Sequence, residues 1–327
     1  MKERLLWIDA LRGILIVLVV LGHTLQHGDY ENRLTWNMVN SFHVAAFFVV
    51  SGYISYKKEY SIGIIGHKAQ QLLLPFFVWS VLSMVFVGNC KLQSLVKYII
   101  KPDTGYWFVC TLFFVSSIAI ILQKSPFKKD FQKSLILVLG GVILVSVTIA
   151  TNCRLFGFHF ISYYFLFYVM GLLIRKYDVK LNNFYFTIMG ILWLYMAIFW
   201  RKHDCPVIVN WVTFLPSSIV TYVYRMITAF CGSLFALEFA RRYINTPNRL
   251  IKSFSYMGTI SLGVYIIHLF LGRVAGSAYL NMFSSNTDIT FVIIDFTLKL
   301  GAGVAFTWLI SQFSIPSFVL LGKYIKK

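Results

Sequence analysis

Residues Trp7 to Gln26 read WIDALRGILIVLVVLGHTLQ, and this stretch decides what kind of molecule the chain is. About 20 mainly apolar residues, at roughly 1.5 Å rise each, match the ~30 Å hydrocarbon core of a bilayer. Yet Asp9 and Arg12 sit near one end and His23 near the other. A charge inside a spanning helix costs roughly 2.5–3.5 kcal/mol on insertion scales, so it faces a protein interior and usually a task. Arg12 and His23 are 11 positions apart, about three full turns at roughly 100° per residue, so they share a face about 16 Å apart along the axis. Asp9 lies one turn from Arg12, close to the same face.

The composition extends that reading to the whole chain. Of 327 residues, 58% are hydrophobic and only 13% charged, and the mean hydropathy is +0.72; a soluble protein carries about a quarter charged residues. The expectation is an all-α integral membrane protein, a single membrane-embedded domain over residues 1–327. The formal net charge of +18 does not point to nucleic acid, because the basic residues are scattered between apolar segments. The first apolar run is too long and too polar within to read as a cleaved signal peptide.

Ten candidate spans follow, near 7–26, 37–56, 70–89, 106–123, 134–151, 159–175, 183–200, 222–240, 257–272 and 289–312, predicting one bundle of about ten transmembrane helices. With both termini inside (N-in/C-in), about 19 basic residues fall in inner segments against about eight in outer loops, the bias that orients such proteins. Cys90, Cys153 and Cys205 then lie in or beside outer loops, while Cys110 and Cys231 lie in apolar helix. No spacing selects a disulfide pair, and no Cys/His cluster suggests a metal.

In this orientation His23, His43 and His268 occupy one depth band in the outer half. Histidine is the side chain best suited to take and return a proton near neutral pH; the alternative for each ring is a structural bond to a neighbouring helix. Within the tenth span, Asp295 and Lys299 are four apart and neutralise each other, and Glu238 with Arg241 or Arg242 reads as an ion pair. Arg225 has no evident partner in the sequence and reads as snorkelling to the interface, the alternative being that it holds an anionic acceptor. Ser51-Gly52 reads as a close helix contact.

A family resemblance rests on an ordered set of motifs. Arg12 and His23 form R-x10-H within IDALRGILIVLVVLGHT. SFHVAAFFVVSGY (Ser41–Tyr53), LLLPFFVW (Leu72–Trp79), YWFVCTLFF (Tyr106–Phe114), YYFLFYVMGLLI (Tyr163–Ile174) and ISLGVYIIHLF (Ile260–Phe270) follow in order. Together they resemble the membrane-bound acyltransferase-3 superfamily, especially its fucose 4-O-acetylase-like branch, over essentially the whole chain. One departure stands out: where the superfamily often carries an arginine pair before the third span, this chain reads His67-Lys68-Ala69-Gln70-Gln71. Lysine is a point charge and cannot copy the planar fork of arginine.

The resemblance implies O-acyl transfer, most simply O-acetyl transfer, from cytoplasmic acyl-CoA to a hydroxyl of an envelope or exported glycan. It implies His23 as general base or transient acyl carrier, Arg12 as the group meeting the donor, and Asp9 as its partner. His43, His268, Lys68 and Trp107 are the candidates for holding substrate; Trp107 could stack on a sugar or belong to an interfacial aromatic belt. No bound cofactor or metal is implied, with acetyl-CoA or another acyl-CoA acting as donor substrate. The partners implied are a glycan or lipid-linked sugar acceptor, the lipid bilayer and glycan-assembly proteins, at a bacterial plasma membrane. The rival from another class is a transporter of a lipid-linked sugar, which would need no covalent chemistry.

Overall fold

The computed structural model describes residues 5–27, 30–88, 91–101, 105–127, 129–202, 204–274 and 289–323. Cys90 lies outside them. Among the described residues all regular structure is helical. Seven helical segments of the described residues are long and apolar enough to cross a membrane, and a broken pair would make an eighth; two further apolar helices of 17 residues each, Trp107–Gln123 and Asn183–Phe199, are shorter.

The chain forms two compact units. The first comprises the described parts of Met1–Val50, Asp178–Ser261 and Leu280–Leu300. It contains α1 (Leu6–His27), α2 (Leu34–Asn40) and the start of α3 (His43–Ser55). Later in the chain come α10 (Asn183–Phe199), α11 (Ser217–Tyr243), α12 (Arg249–Thr259) and the start of α14 (Ile289–Ser311). Its core is lined by Ile8, Leu11, Leu15, Ile16, Val19 and Val20 of α1, all buried. Asn182 and Asn248 cap α10 and α12, their side chains accepting from the amides of Tyr185 (2.9 Å) and Ile251 (2.8 Å); each satisfies one of the donors a helix start leaves open.

The second unit comprises the described parts of Ser51–Tyr177, Leu262–Tyr279 and Gly301–Lys327. It holds α4 (Gly63–Lys68), α5 (Leu74–Phe86), α6 (Leu92–Ile100), α7 (Trp107–Gln123), α8 (Asp130–Thr151) and α9 (Phe158–Lys176). Most of α13 (Ser261–Val274), the end of α14 and α15 (Ser314–Leu321) complete it. Here Gly52 lies so close to α9 that a Cβ would overlap the Tyr168 carbonyl, as expected for the Ser51-Gly52 pair.

Two predicted spans differ from the structure, and another carries a local interruption. The second runs as one segment, Leu34–Ser55, interrupted at Ser41 and Phe42 between α2 and α3. The Asn40 amide donates to the Trp36 carbonyl (3.0 Å), the Ser41 hydroxyl to Met38 (3.0 Å), and His43 Nδ1 meets the Val39 carbonyl (2.6 Å). Polar side chains thus take carbonyls that a continuing helix would use. The third begins at Gly63 rather than near residue 70, with α4 running into α5 through a π-helical turn, Ala69–Leu73. The ninth is broken at Ile260, between α12 and α13.

Candidate functional site

In the first unit α1 is one unbroken helix of 22 residues, so the spacing argument for Arg12 and His23 holds. Arg12 is gripped on two sides. Its Nη1 lies 3.4 Å from Asp9 Oδ1, and its Nη2 donates to Ser261 Oγ at 3.1 Å. The guanidinium side chain remains 29% exposed against 12% for the carboxylate, so the pair offsets the cost of burying Arg12 while leaving part of its fork accessible.

Glycine makes that grip possible. A Cβ on Gly13 would overlap the Phe254 carbonyl, and one on Gly258 would overlap the Asp9 carbonyl. The α1 and α12 backbones therefore touch directly, each through the other's glycine, the close packing that small residues permit. The contact brings the end of α12, and with it Ser261, to within reach of Arg12. The sequence pointed to Arg12 and Asp9 but not to Ser261, 249 positions away; its only signal was the cluster of small residues Gly258, Thr259 and Ser261.

His23 is half-buried near the far end of α1, beside the fully buried Thr24. There α2 packs on α1, close enough that a Cβ on Gly22 would touch the Asn40 amide. His43, in the same unit, is buried at the first residue of α3, more than two turns into the Leu34–Ser55 segment as expected, and its Nδ1 bond to Val39 steadies the α2–α3 interruption. Two further grips tie α11 to its neighbours. Glu238 is buried and pairs with both Arg241 (3.1 Å) and Arg242 (3.0 Å). Those arginines reach on to the Val179 carbonyl (2.8 Å) and Asn183 Oδ1 (2.6 Å). Arg225, expected to snorkel, instead donates to the Arg201 carbonyl at 3.0 Å and to that of Lys202, closing the carbonyl end of α10.

The remaining candidates belong to the second unit. Lys68 precedes the π turn and, with Gln71, His67, Tyr60, Ile120 and Tyr168, lines a cavity of about 260 Å³. A π turn carries one residue more than an α turn and occurs often at functional positions. Burial pushes the Tyr60 phenol above its usual range, and its hydroxyl ties the 55–60 loop together, accepting from the Lys57 amide (3.1 Å). Trp107 stacks on Phe160 (4.2 Å between centroids) and on Tyr164 (5.6 Å), placing its ring in an aromatic group with α9. His268 is 1% exposed, its Nδ1 3.0 Å from the Val264 carbonyl and its ring edge-on to Tyr265. Among the described residues no three His, Cys, Asp or Glu side chains gather as a metal site would need, and no disulfide joins Cys110, Cys153, Cys205 and Cys231.

A set of long apolar helices, the first of which carries a held arginine and, three turns on, a histidine, is what a membrane-embedded protein presents. The acyltransferase-3 family model, an acyltransferase domain, matches residues 5–312, and the chain belongs to that family of membrane-embedded enzymes, which transfer acyl groups other than amino-acyl groups. It is similar to the nodulation protein NolL of Mesorhizobium japonicum, 27% identical over 218 residues that cover 61% of this chain and 53% of the relative. It is also similar to the nodulation protein NolL of Sinorhizobium fredii, 34% identical over 99 residues, 28% of this chain and 26% of the relative. The chain thus spans about half or less of the length of these relatives. No solved structure matches it.

Proposed function

We propose that this protein transfers an acyl group, most simply acetyl, from cytoplasmic acyl-CoA to a hydroxyl of an envelope or exported glycan, as in the fucose 4-O-acetylase-like branch. The observation that carries the reading is the arrangement along α1: Arg12 fixed by Asp9 and Ser261, with His23 on the same face about 16 Å further along the axis. In this reading ten helices cross a bacterial plasma membrane with both termini inside, and residues 1–327 act as one domain. Arg12 lies toward the inner side and meets the phosphates of the donor through charge-assisted bonds. The extended pantetheine arm carries the acyl group along the α1 face toward His23. His23 accepts the proton of the acceptor hydroxyl as its oxygen attacks the thioester carbonyl. The new C–O bond forms, the C–S bond breaks, and the imidazolium returns its proton to the departing CoA thiolate. His43 in the first unit, and His268 and Trp107 in the second, are the candidates for meeting the acceptor; Lys68 is the candidate for meeting the donor.

The test uses purified protein in liposomes with isotopically labelled acetyl-CoA and host envelope glycans, wild type beside His23→Ala and Arg12→Ala. Alkali-labile label on glycan in wild type, lost in His23→Ala, is the expected result. Arg12→Ala should raise the donor KM more than the acceptor KM. Wild-type rates in both variants would overturn the site assignment. CoA binding with no transfer to any glycan would move the reading to the lipid-linked sugar transporter.

A further inference from the structure

Beside the cavity at Lys68 the second unit holds another, of about 320 Å³, and the two share Lys57 and Tyr60 as walls. Five lysines line the larger one, Lys57, Lys58, Lys124, Lys133 and Lys176, against the carboxylates of Glu59 and Asp130. Three net positive charges therefore surround a space of small-ligand size. Asp130 does not cancel the others, because it is already engaged: Lys176 Nζ lies 3.2 Å from its Oδ1 and donates to its carbonyl (2.9 Å) and to Ser134 Oγ (3.1 Å). Asp130 and Lys133 also form the first turn of α8, 22 residues long, whose positive end favours anions. By contrast, the cavity at Lys68 mixes its lysines with Ile64, Ile120 and Tyr168, a lining suited to a less charged part of the same molecule.

Resting on the acyl-CoA reading above, we propose that the lysine-lined cavity receives the phosphorylated nucleotide end of the donor and selects its 3′-phosphomonoester. That group carries about two negative charges near neutral pH and three acceptor oxygens, and ammonium groups of Lys58, Lys124 and Lys133 can meet it from different sides. The pyrophosphate and pantetheine then lead through the shared wall at Lys57 and Tyr60 to the cavity at Lys68.

The experiment is equilibrium binding to the full-length protein in nanodiscs of neutral lipid, with CoA, dephospho-CoA, adenosine 3′,5′-bisphosphate and 5′-AMP as probes. CoA should bind about 10-fold or more tightly than dephospho-CoA, a difference of about 1.4 kcal/mol. Adenosine 3′,5′-bisphosphate should compete and 5′-AMP should not. A Lys124→Gln/Lys133→Gln variant should lower CoA affinity to the dephospho-CoA value. Equal binding of CoA and dephospho-CoA by wild type would overturn this inference and leave the donor reading standing; binding of neither would overturn the donor reading itself. Loss of the preference when phosphatidylglycerol is added to the nanodisc would assign the cavity to lipid headgroups instead.

Discussion

Replacing Gly258 by alanine is the smallest change that should undo the candidate site. The added methyl would sit inside the Asp9 carbonyl, with the Gly13 amide next to it. Restoring ordinary carbon–oxygen contact requires the α1 and α12 backbones to part by about 1.5–2 Å. Neither side can yield by a rotamer change, because both atoms in conflict belong to helix backbone. Overpacking of this kind costs about 1–3 kcal/mol. The Arg12–Ser261 bond, 3.1 Å long and three positions further on, would open beyond hydrogen-bond range and add about 1 kcal/mol more. The total is roughly 2–4 kcal/mol, with the grip on Arg12 loosened as well. The control is Gly301→Ala. Gly301 also lies within a helix, but nothing lies within 4 Å of the Cβ it would carry, so alanine there should be neutral or stabilising by up to about 1 kcal/mol. Thermal unfolding of both variants in one detergent, with acyl transfer measured on the surviving fraction, gives the comparison. If Gly258→Ala is as stable and as active as Gly301→Ala, the direct backbone contact and its part in holding Arg12 are refuted.

The Asp295–Lys299 pair, 2.6 Å apart with side chains 0% and 4% exposed, should tolerate joint but not single replacement. Asp295→Asn alone should cost about 3–5 kcal/mol by leaving a buried ammonium without its carboxylate, whereas Asp295→Leu/Lys299→Met should recover most of that; chemical unfolding of the three proteins reads it. Ser261→Ala removes one of the two bonds to Arg12 described above and should raise donor KM a few-fold without lowering folded yield, seen in initial rates at varied acyl-CoA. Tyr60 predicts an alkaline effect: its phenol is held above its ordinary value of about 10, so folding favours the neutral form. Its contribution is full below pH 10 and is lost as pH rises through the raised value. Tyr60→Phe should therefore flatten the alkaline arm of the stability profile; an unchanged profile would count against it.

Much of the site's local chemistry was legible because helical spacing is arithmetic. Asp9–Arg12, Glu238–Arg242 and Asp295–Lys299 are three or four apart, and all three meet as ion pairs. What was hidden depends on atoms that every residue shares. Arg225 finds its partners in the carbonyls of Arg201 and Lys202, and no residue type announces an available carbonyl. The break before α3 depended on Asn40, Ser41 and His43 turning back on the preceding turn rather than outward. Ser261 was hidden by distance along the chain, since only the approach of two glycine-bearing helices brings it to Arg12. The third span was misplaced because Gly63, Gly66 and the polar stretch His67–Gln71 resemble a loop in composition, yet they wind as helix.

That same stretch contains the turn Ala69–Leu73, in which the Leu74 amide bonds back to the Ala69 carbonyl, five positions earlier. Such a turn behaves as a helix with one residue too many, absorbed without breaking the rod. Removing a single residue from it, Gln70 for example, would let the segment close as ordinary α-helix. Everything before it would then swing about 100° around the axis, carrying Lys68 and His67 off the wall they share with Tyr168. The position of that lysine is therefore set by counting rather than by composition: an insertion or deletion that spares every named side chain could still disable the site, while a substitution at Gln70 would leave it in place.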